Sequence, residues 1–311
     1  MKQVALMFSG QGSQYAGMGR KLYERYDSVK TVYCESESIT GYPIREISFR
    51  ENDPRINQTK YTQVCMFTLY QAILVLLEER GWHVQTSFGL SLGEYGAYLH
   101  QKVFSFEQGL RIVKERARLM DEASKTQHGG MSAVIGLDKE KVEELIAKSH
   151  TEVSIANYNT PTQLVVSGSL EGLDAFERLA KNEAKRVIRL KTSGAFHSKW
   201  MSQAMTSFQS VLQDIELNEP SGYLYLNTTG MLYHENLKTH MVEQLIKPVR
   251  FYQIIDALPS QNITTCIEIG PKRTLCQLVK RIDPTIQTLS IEDDITLEKT
   301  LTYMEENDYG L

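Results

Sequence analysis

Segments with the patterning of β-strands and segments with the patterning of α-helices alternate along this 311-residue chain. Short apolar runs at residues 4–8, 86–89 and 266–269 predict strands, and residues 223–227 predict another. Residues 15–26 predict a helix, and residues 62–80 predict a long buried one. Such alternation favours an α/β architecture, because parallel strands need a long crossover connection that is usually helical. We therefore expect a body built on a mainly parallel sheet.

A block between Gly129 and Gly194 has its own organisation. Its pattern is strand, helix, strand, strand, helix, strand, with predicted strands at residues 131–137, 153–157, 163–167 and 186–191. Asp138 is placed to cap the first helix, which is typical of helix N-termini. This β-α-β-β-α-β order is the ferredoxin-like arrangement. We expect residues 129–192 to form a ferredoxin-like small domain inserted into a body of residues 1–128 and 193–311.

Charge and cysteine pattern exclude several classes of protein. Thirty-four Lys and Arg against 38 Asp and Glu give a net charge of −4, so the chain as a whole lacks a basic nucleic-acid footprint. The four cysteines form no Cys-x-x-Cys pair, which argues against a zinc ribbon or disulfide scaffold. Residues 72–77, the most apolar run, are too few for a membrane span. We expect a cytoplasmic protein without a secretory signal, a metal, a nucleic-acid partner or a membrane partner.

The segment Gly89-Leu90-Ser91-Leu92-Gly93 fits the G-x-S-x-G nucleophile elbow. The elbow needs glycine on both sides because its strand-to-helix turn leaves no room for side chains. It lifts the serine hydroxyl above the sheet edge, next to the unpaired N–H groups of the following helix. A plain Gly-Ser turn is the alternative.

A second glycine-containing loop, Ser9-Gly10-Gln11-Gly12-Ser13-Gln14, follows the first predicted strand. It lacks the Lys-Ser/Thr pair of a P-loop and the third glycine of a dinucleotide fingerprint. We expect a close backbone approach there, at the carboxyl edge of the sheet where ligands of α/β proteins gather.

Arg116 stands alone as a charge in the middle of the apolar face of a predicted helix. Residues 105–120 have helical spacing, and Ser105 and Gln108 are placed as a capping box. A buried arginine must meet a carboxylate or similar anion, because isolated burial is costly. Two interpretations stay open: a structural salt bridge to a carboxylate of the body, or a bidentate clamp for a substrate carboxylate.

A serine nucleophile needs a base, and His197 is the best placed of the seven histidines. It follows the last predicted strand of the small domain, in Ser193-Gly194-Ala195-Phe196-His197-Ser198. The small residues there let the imidazole approach another backbone.

Five motifs occur here in the order of one known family: Gly10-Gln11-Gly12-Ser13-Gln14, Gly89-Leu90-Ser91-Leu92-Gly93-Glu94-Tyr95, Arg116, Gly194-Ala195-Phe196-His197-Ser198 and Lys247-Pro248-Val249-Arg250-Phe251. With them the chain resembles the malonyl-CoA:acyl carrier protein transacylases of bacterial fatty acid synthesis. These enzymes are related to the acyltransferase domains of polyketide synthases. The resemblance runs from about residue 4 to residue 291 and implies that the parallel body is hydrolase-like.

The resemblance implies a role for each matched residue. Ser91 would attack the malonyl thioester, and His197 would take its proton. The backbone N–H groups of Gln11 and Leu92 would form the oxyanion hole. Arg116 would hold the malonyl carboxylate.

Three further positions match the family, and two depart from it. A backbone carbonyl at Arg250 would orient His197, Asn159 matches a polar position near the site, and Phe196 matches a pattern associated with malonyl over branched units. Leu90 stands where the family usually has His. Gly270-Pro271-Lys272-Arg273 stands where the family has Gly-Pro-Gly-Lys.

The predicted function is transfer of malonyl from malonyl-CoA, through an acyl-serine, to the phosphopantetheine thiol of an acyl carrier protein. The transfer would supply fatty acid or polyketide synthesis. An acyl-thioester hydrolase acting on carrier-bound acyl groups is the alternative, since water could attack the same acyl-Ser91. A non-catalytic carrier-docking protein is less favoured, because Ser91, His197 and Gln11 are all present. We expect a monomer with no cofactor of its own.

Overall fold

The computed structural model describes residues 3–307 and Tyr309. In this part of the chain the backbone forms two compact units. The first holds the described residues of Met1–Ala117, Glu216–Tyr225 and Ile255–Leu311, and the second holds Arg118–Ile215 and Leu226–Ile254.

The described residues form strands and α-helices that we number in chain order. The strands are β1 (Gln3–Phe8), β2 (Thr86–Gly89), β3 (Gly129–Ile135), β4 (Ser154–Thr160), β5 (Gln163–Ser169), β6 (Arg186–Arg189), β7 (Tyr223–Leu224), β8 (Ile263–Ile269) and β9 (Gln287–Ile291). The helices are α1 (Arg20–Arg25), α2 (Asp27–Thr40), α3 (Ile44–Phe49), α4 (Thr59–Glu78), α5 (Gly93–His100), α6 (Phe106–Gln127), α7 (Lys139–Ser149), α8 (Leu170–Ala180), α9 (Ser202–Leu212), α10 (Leu237–Glu243), α11 (Phe251–Ala257), α12 (Thr274–Ile282) and α13 (Asp294–Glu306).

The first unit is built on a five-stranded sheet in the order β7-β2-β1-β8-β9. Every neighbouring pair in this sheet is parallel, so all the carboxyl ends lie at one edge. Phe8 at the end of β1 lies opposite Gly89 at the end of β2. The loop after β1 and the turn after β2 therefore leave the sheet side by side. The predicted mainly parallel sheet is confirmed.

Helix α4 is a core helix of the first unit. Fifteen of its 20 residues are buried, which confirms the buried helix predicted near residues 62–80. By length and composition alone α4 could cross a membrane, but 78% of its apolar window is buried inside the protein. Such burial is typical of a helix in the core of a globular protein, where apolar side chains cover every face.

The second unit contains an antiparallel sheet in the order β4-β5-β3-β6. The chain passes through β3, α7, β4, β5, α8 and β6, and the outer strands are β4 and β6, so this sheet and its two helices have the predicted ferredoxin-like topology. Buried side chains from both helices and the sheet form the core beneath it, among them Val142, Leu145, Phe176 and Val166. The unit also includes residues 118–128, 193–215 and 226–254. The predicted domain boundaries at residues 129 and 192 stay a prediction.

Capping residues predicted the starts of two helices correctly, whereas the start of a third was predicted too early. Gln108 N donates to Ser105 Oγ (3.2 Å) and Ser105 N donates to Gln108 Oε1 (3.1 Å), which confirms the capping box. Asp138 caps α7 as expected. The helix predicted over residues 15–26 begins only at Arg20, because Gly17 and Gly19 take φ values of +99° and +78°.

Candidate active site

Ser91 lies at a strand-to-helix turn between β2 and α5. Its φ is +54°, a left-handed conformation that costs about 1–2 kcal/mol for a residue with a Cβ. The turn is held by hydrogen bonds from Leu90 N to Phe8 O (3.1 Å) and from Gly93 N to Leu90 O (3.0 Å). A Cβ on Gly89 would lie 2.0 Å from the Gly93 carbonyl carbon, and one on Gly93 would lie 2.0 Å from Phe8 O. The turn therefore requires both glycines of the elbow motif.

Gln11 lies in the loop after β1, which approaches the Ser91 turn closely. A Cβ on Gly10 would lie 2.7 Å from Leu90 O, so only glycine fits between the two segments. Within residues 3–307 and Tyr309, the N–H groups of Gln11 and Leu92 donate to no other protein group. Leu92 immediately precedes the first turn of α5, where backbone N–H groups lack helical partners. Both N–H groups are thus available to an anionic oxygen.

Arg116 is fully buried on α6, as its position on the apolar face predicted. Its Nη1 donates to Gln63 Oε1 at 2.6 Å, and its Nη2 lies 3.4 Å from Ser91 Oγ. The guanidinium carbon lies 5.0 Å from the centre of the Tyr95 ring, within cation–π range. Burial lowers the pKa of the Arg116 guanidinium below its ordinary value, because desolvation penalises the charged form. An anion bound beside Ser91 would relieve that penalty.

Gln63 on α4 was not among the predicted site residues. Its Nε2 donates to Gln11 Oε1 (3.2 Å), and Gln11 Nε2 donates to Thr59 Oγ1 (3.0 Å). Gln63 is 1% exposed and Thr59 is 0% exposed. The two are four residues apart near the start of α4, so they share one face of the helix. A polar pair at this spacing, in a helix predicted to be buried, is the sequence signal that could have marked Gln63 as a candidate.

His197 lies in the second unit and is 4% exposed. Its φ is +56°, so His197, like Ser91, has a left-handed backbone conformation. Its Nδ1 lies 2.8 Å from the backbone carbonyl oxygen of Gln244. A carbonyl can only accept, so Nδ1 carries the proton and the neutral ring has its lone pair on Nε2.

The Gln244 carbonyl is available because of its place in the chain. Gln244 is the C-terminal capping residue of α10, and the last carbonyls of a helix have no intrahelical donor. The negative end of the helix dipole also favours positive charge on the imidazole.

The carbonyl that meets His197 corrects the predicted one, which was that of Arg250. The Arg250 carbonyl accepts from Ile254 N (3.2 Å) as α11 begins, and Arg250 N donates to Asn227 O (3.0 Å). Its guanidinium lies over the Tyr158 ring, 5.5 Å from the ring centre. The orienting carbonyl is six residues earlier because the chain turns out of α10 before it reaches the Lys247–Phe251 motif.

Phe196 and Asn159, both predicted to bind substrate, are buried in the second unit. Asn159 lies on β4, next to the strand-like pairing in which Tyr158 N donates to Val249 O (2.8 Å). Its Oδ1 is buried and accepts no hydrogen bond from the described part of the chain. A buried amide oxygen without a donor costs about 1–3 kcal/mol, which a ligand N–H or O–H would recover. The substrate roles of both residues stay predictions.

The two departures from the family pattern have different consequences. Leu90 keeps the backbone hydrogen bonds of the elbow, which do not depend on its side chain. Lys272 takes the place of a glycine and has a φ of +67°, in the region that glycine favours. Its N–H donates to Glu292 Oε2 at 2.8 Å. The turn after β8 therefore keeps a left-handed residue at this position.

The structure divides the predicted residues between the two units. The first unit holds Gln11, Ser91, Leu92 and Arg116. Gln63 links Gln11 to Arg116, and Arg116 Nη2 in turn lies 3.4 Å from Ser91 Oγ. The second holds Asn159, Phe196, His197 and Arg250, with Gln244 as the partner of the histidine.

Comparisons with known proteins show the family of this chain. Residues 6–306 match the family described as Acyl transferase domain. The chain is 34% identical over 315 residues to the malonyl CoA-acyl carrier protein transacylase of Bacillus subtilis (strain 168), covering 99% of both proteins. It is similar in structure to the malonyl CoA-acyl carrier protein transacylase from Clostridium perfringens, with a TM-score of 0.93, 35% identity and coverage of 99% of this chain and 98% of that one.

A further solved structure shows a malonyl-transacylase in complex with its type II PKS acyl-carrier protein. This chain matches it with a TM-score of 0.93 and 30% identity, over 97% of this chain and 99% of that one. The family match and the relatives both extend over nearly the whole sequence. The chain belongs to the acyl transferase domain family, among the malonyl CoA-acyl carrier protein transacylases.

Proposed function

We propose that this protein transfers the malonyl group of malonyl-CoA to the phosphopantetheine thiol of an acyl carrier protein through an acyl-Ser91 intermediate. One observation carries the proposal: Arg116 Nη2 lies 3.4 Å from Ser91 Oγ on a nucleophile elbow. An acyl group bound to that serine and bearing a carboxylate would meet a guanidinium fork, which suits carboxylate geometry.

In the first half-reaction, Ser91 Oγ attacks the thioester carbonyl carbon while His197 Nε2 takes the hydroxyl proton. The Gln11 and Leu92 N–H groups stabilise the oxyanion of the tetrahedral intermediate. When the intermediate collapses, the carbon–sulfur bond breaks and His197 returns its proton to the departing coenzyme A thiol. Ser91 then carries the malonyl group as an oxygen ester.

In the second half-reaction, the phosphopantetheine thiol of the carrier protein attacks this ester. His197 takes the thiol proton and returns it to Ser91 Oγ as the carbon–oxygen bond breaks. The products are malonyl-carrier thioester and free enzyme.

The hydrogen bond between His197 Nδ1 and the Gln244 carbonyl supports the role of the histidine as base. It fixes the tautomer whose Nε2 can accept a proton, and it stabilises the imidazolium that forms. No acidic third residue is needed for either effect.

The proposal is tested by following both products of malonyl-CoA turnover. We expect holo-carrier protein to receive malonyl as a thioester, with little free malonate formed. Rapid release of malonate without carrier loading would instead identify an acyl-thioester hydrolase. A reaction that loads apo-carrier protein, which lacks the thiol, would contradict the proposed acceptor.

We also propose that the enzyme acts in the cytoplasm, as a monomer, and needs no cofactor beyond its thioester substrates. These statements rest on the charge and cysteine pattern of the sequence and on the resemblance to the family. Gel filtration with light scattering and activity after exhaustive dialysis against a chelator would test the last two.

A further inference from the structure

The side-chain amide of Gln63 forms hydrogen bonds with Arg116 and with Gln11. On one side its Oε1 accepts from Arg116 Nη1 at 2.6 Å, and on the other its Nε2 donates to Gln11 Oε1 at 3.2 Å. Gln11 lies in the loop whose N–H group is proposed for the oxyanion hole. The amide of Gln63 therefore connects the guanidinium that is proposed to hold the substrate carboxylate with the loop that is proposed to stabilise the reacting carbonyl.

The direction of this hydrogen-bond chain is set by the cation. A guanidinium can only donate, so the atom of Gln63 that faces Arg116 must be the oxygen. The amide nitrogen then faces Gln11 and must donate, so Gln11 presents its oxygen to Gln63. Gln11 Nε2 is left to donate to Thr59 Oγ1 (3.0 Å).

Burial makes this series of hydrogen bonds rigid. Gln63 and Arg116 are 1% and 0% exposed, so water does not compete for their hydrogen bond. Hydrogen bonds to charged groups are among the stronger ones in proteins, and 2.6 Å is short for this type. Gln63 is anchored on a core helix, and it fixes the rotation of the guanidinium plane.

Resting on the proposed function, we propose that Gln63 is a positioning residue that makes the enzyme selective for acyl groups with a terminal carboxylate. A neutral amide oxygen orients Arg116 without adding a negative charge. A carboxylate at this position would still accept from Arg116, but it would compete with the substrate carboxylate for the guanidinium. It would also present no donor to Gln11.

The test compares kcat/KM for malonyl-CoA with kcat/KM for acetyl-CoA, which lacks the carboxylate. We expect Gln63→Glu to lower the malonyl-to-acetyl ratio by about 10-fold or more, mainly by raising KM for malonyl-CoA. Gln63→Met has a similar side-chain length and no charge, and it removes the hydrogen bonds to Arg116 and Gln11. It should lower the ratio in the same direction and keeps the test possible if Gln63→Glu does not fold.

Gln101→Met is the matched control. Gln101 is also 1% exposed, and its Nε2 donates to Gln85 O (2.9 Å) and Ser87 Oγ (3.0 Å), away from Arg116. This variant should lose thermal stability and keep the wild-type ratio. Equal losses for both substrates in the Gln63 variants would mean a structural role only and would overturn the proposal.

A double-mutant cycle tests whether Gln63 acts through Arg116. In the Arg116→Ala background, Gln63→Glu should leave the ratio unchanged, because the group that it positions is gone. A ratio that still falls there would contradict the proposed coupling. Failure of the proposed function is separately visible, since the wild-type enzyme would then transfer no malonyl at all.

Discussion

Replacing Arg116 by alanine separates the two roles that its buried position allows. If Arg116 binds the malonyl carboxylate, Arg116→Ala removes a charge-assisted hydrogen-bonded pair that exists only with a carboxylate substrate. If it is a structural salt-bridge partner, the same change removes support for the fold, and every substrate is affected alike.

The magnitude follows from the burial and the geometry of the guanidinium. Arg116 is 0% exposed and its Nη2 is 3.4 Å from Ser91 Oγ, so a carboxylate there would be largely shielded from water. Hydrogen bonds to charged groups contribute about 1.5–3 kcal/mol, which corresponds to roughly 10- to 150-fold in kcat/KM. We expect a loss of at least that size with malonyl-CoA. Activity with acetyl-CoA should hold steady or rise.

The assay measures kcat/KM for both thioesters together with the thermal unfolding curve. Arg116→Lys should recover little malonyl activity, because an ammonium cannot form two parallel hydrogen bonds to a carboxylate. Arg111→Ala, on the exposed face of the same helix and paired with Glu107 (2.8 Å), is the control and should change neither rate. Parallel losses with both substrates and a lower Tm would show that Arg116 is a structural residue and does not select the substrate.

Two further predictions concern the fold around the site. Gly93→Ala places a Cβ 2.0 Å from Phe8 O, so it should lower the free energy of unfolding by about 1–3 kcal/mol or more and abolish malonyl transfer. Gly130→Ala is the control, because its Cβ would lie no closer than 3.3 Å to the atoms around it. It should be tolerated in both the unfolding and the transfer assay. Burial raises the pKa of the Glu268 carboxyl from 4.5 to about 7. Between these pH values the folded protein keeps a proton that the unfolded chain releases. The contribution of Glu268 to the free energy of unfolding therefore falls as pH rises from about 4.5 to 7. Denaturant unfolding should show that the free energy of unfolding of wild type falls by about 3 kcal/mol relative to that of Glu268→Gln across this pH range. A difference between the two proteins that does not change with pH would contradict the raised pKa.

Short-range features of this chain could be predicted from sequence because each depends on a few neighbouring residues. The Ser105–Gln108 capping box, the Asp138 cap and the two glycines of the elbow follow from local hydrogen bonding and local space. The burial of Arg116 followed from helical periodicity alone.

Features that depend on the path of the chain were harder to predict. The carbonyl that meets His197 belongs to Gln244 and not to Arg250, because its availability depends on where α10 ends. Gln63 is one of several buried polar residues of α4, and only its contacts with Gln11 and Arg116 in the folded chain distinguish it from the others. Strand β9 was also not predicted, since its five residues include only two apolar ones and form no continuous apolar run.

Ser91 is proposed to carry the malonyl group between donor and acceptor, and intact-protein mass measurement tests this directly. Wild type mixed with malonyl-CoA should gain the mass of one malonyl group and lose it again when holo-carrier protein is added. Ser91→Ala should show no gain under the same conditions. A malonyl adduct on Ser91→Ala, or a wild-type adduct that holo-carrier protein does not remove, would show that malonyl is not transferred through Ser91.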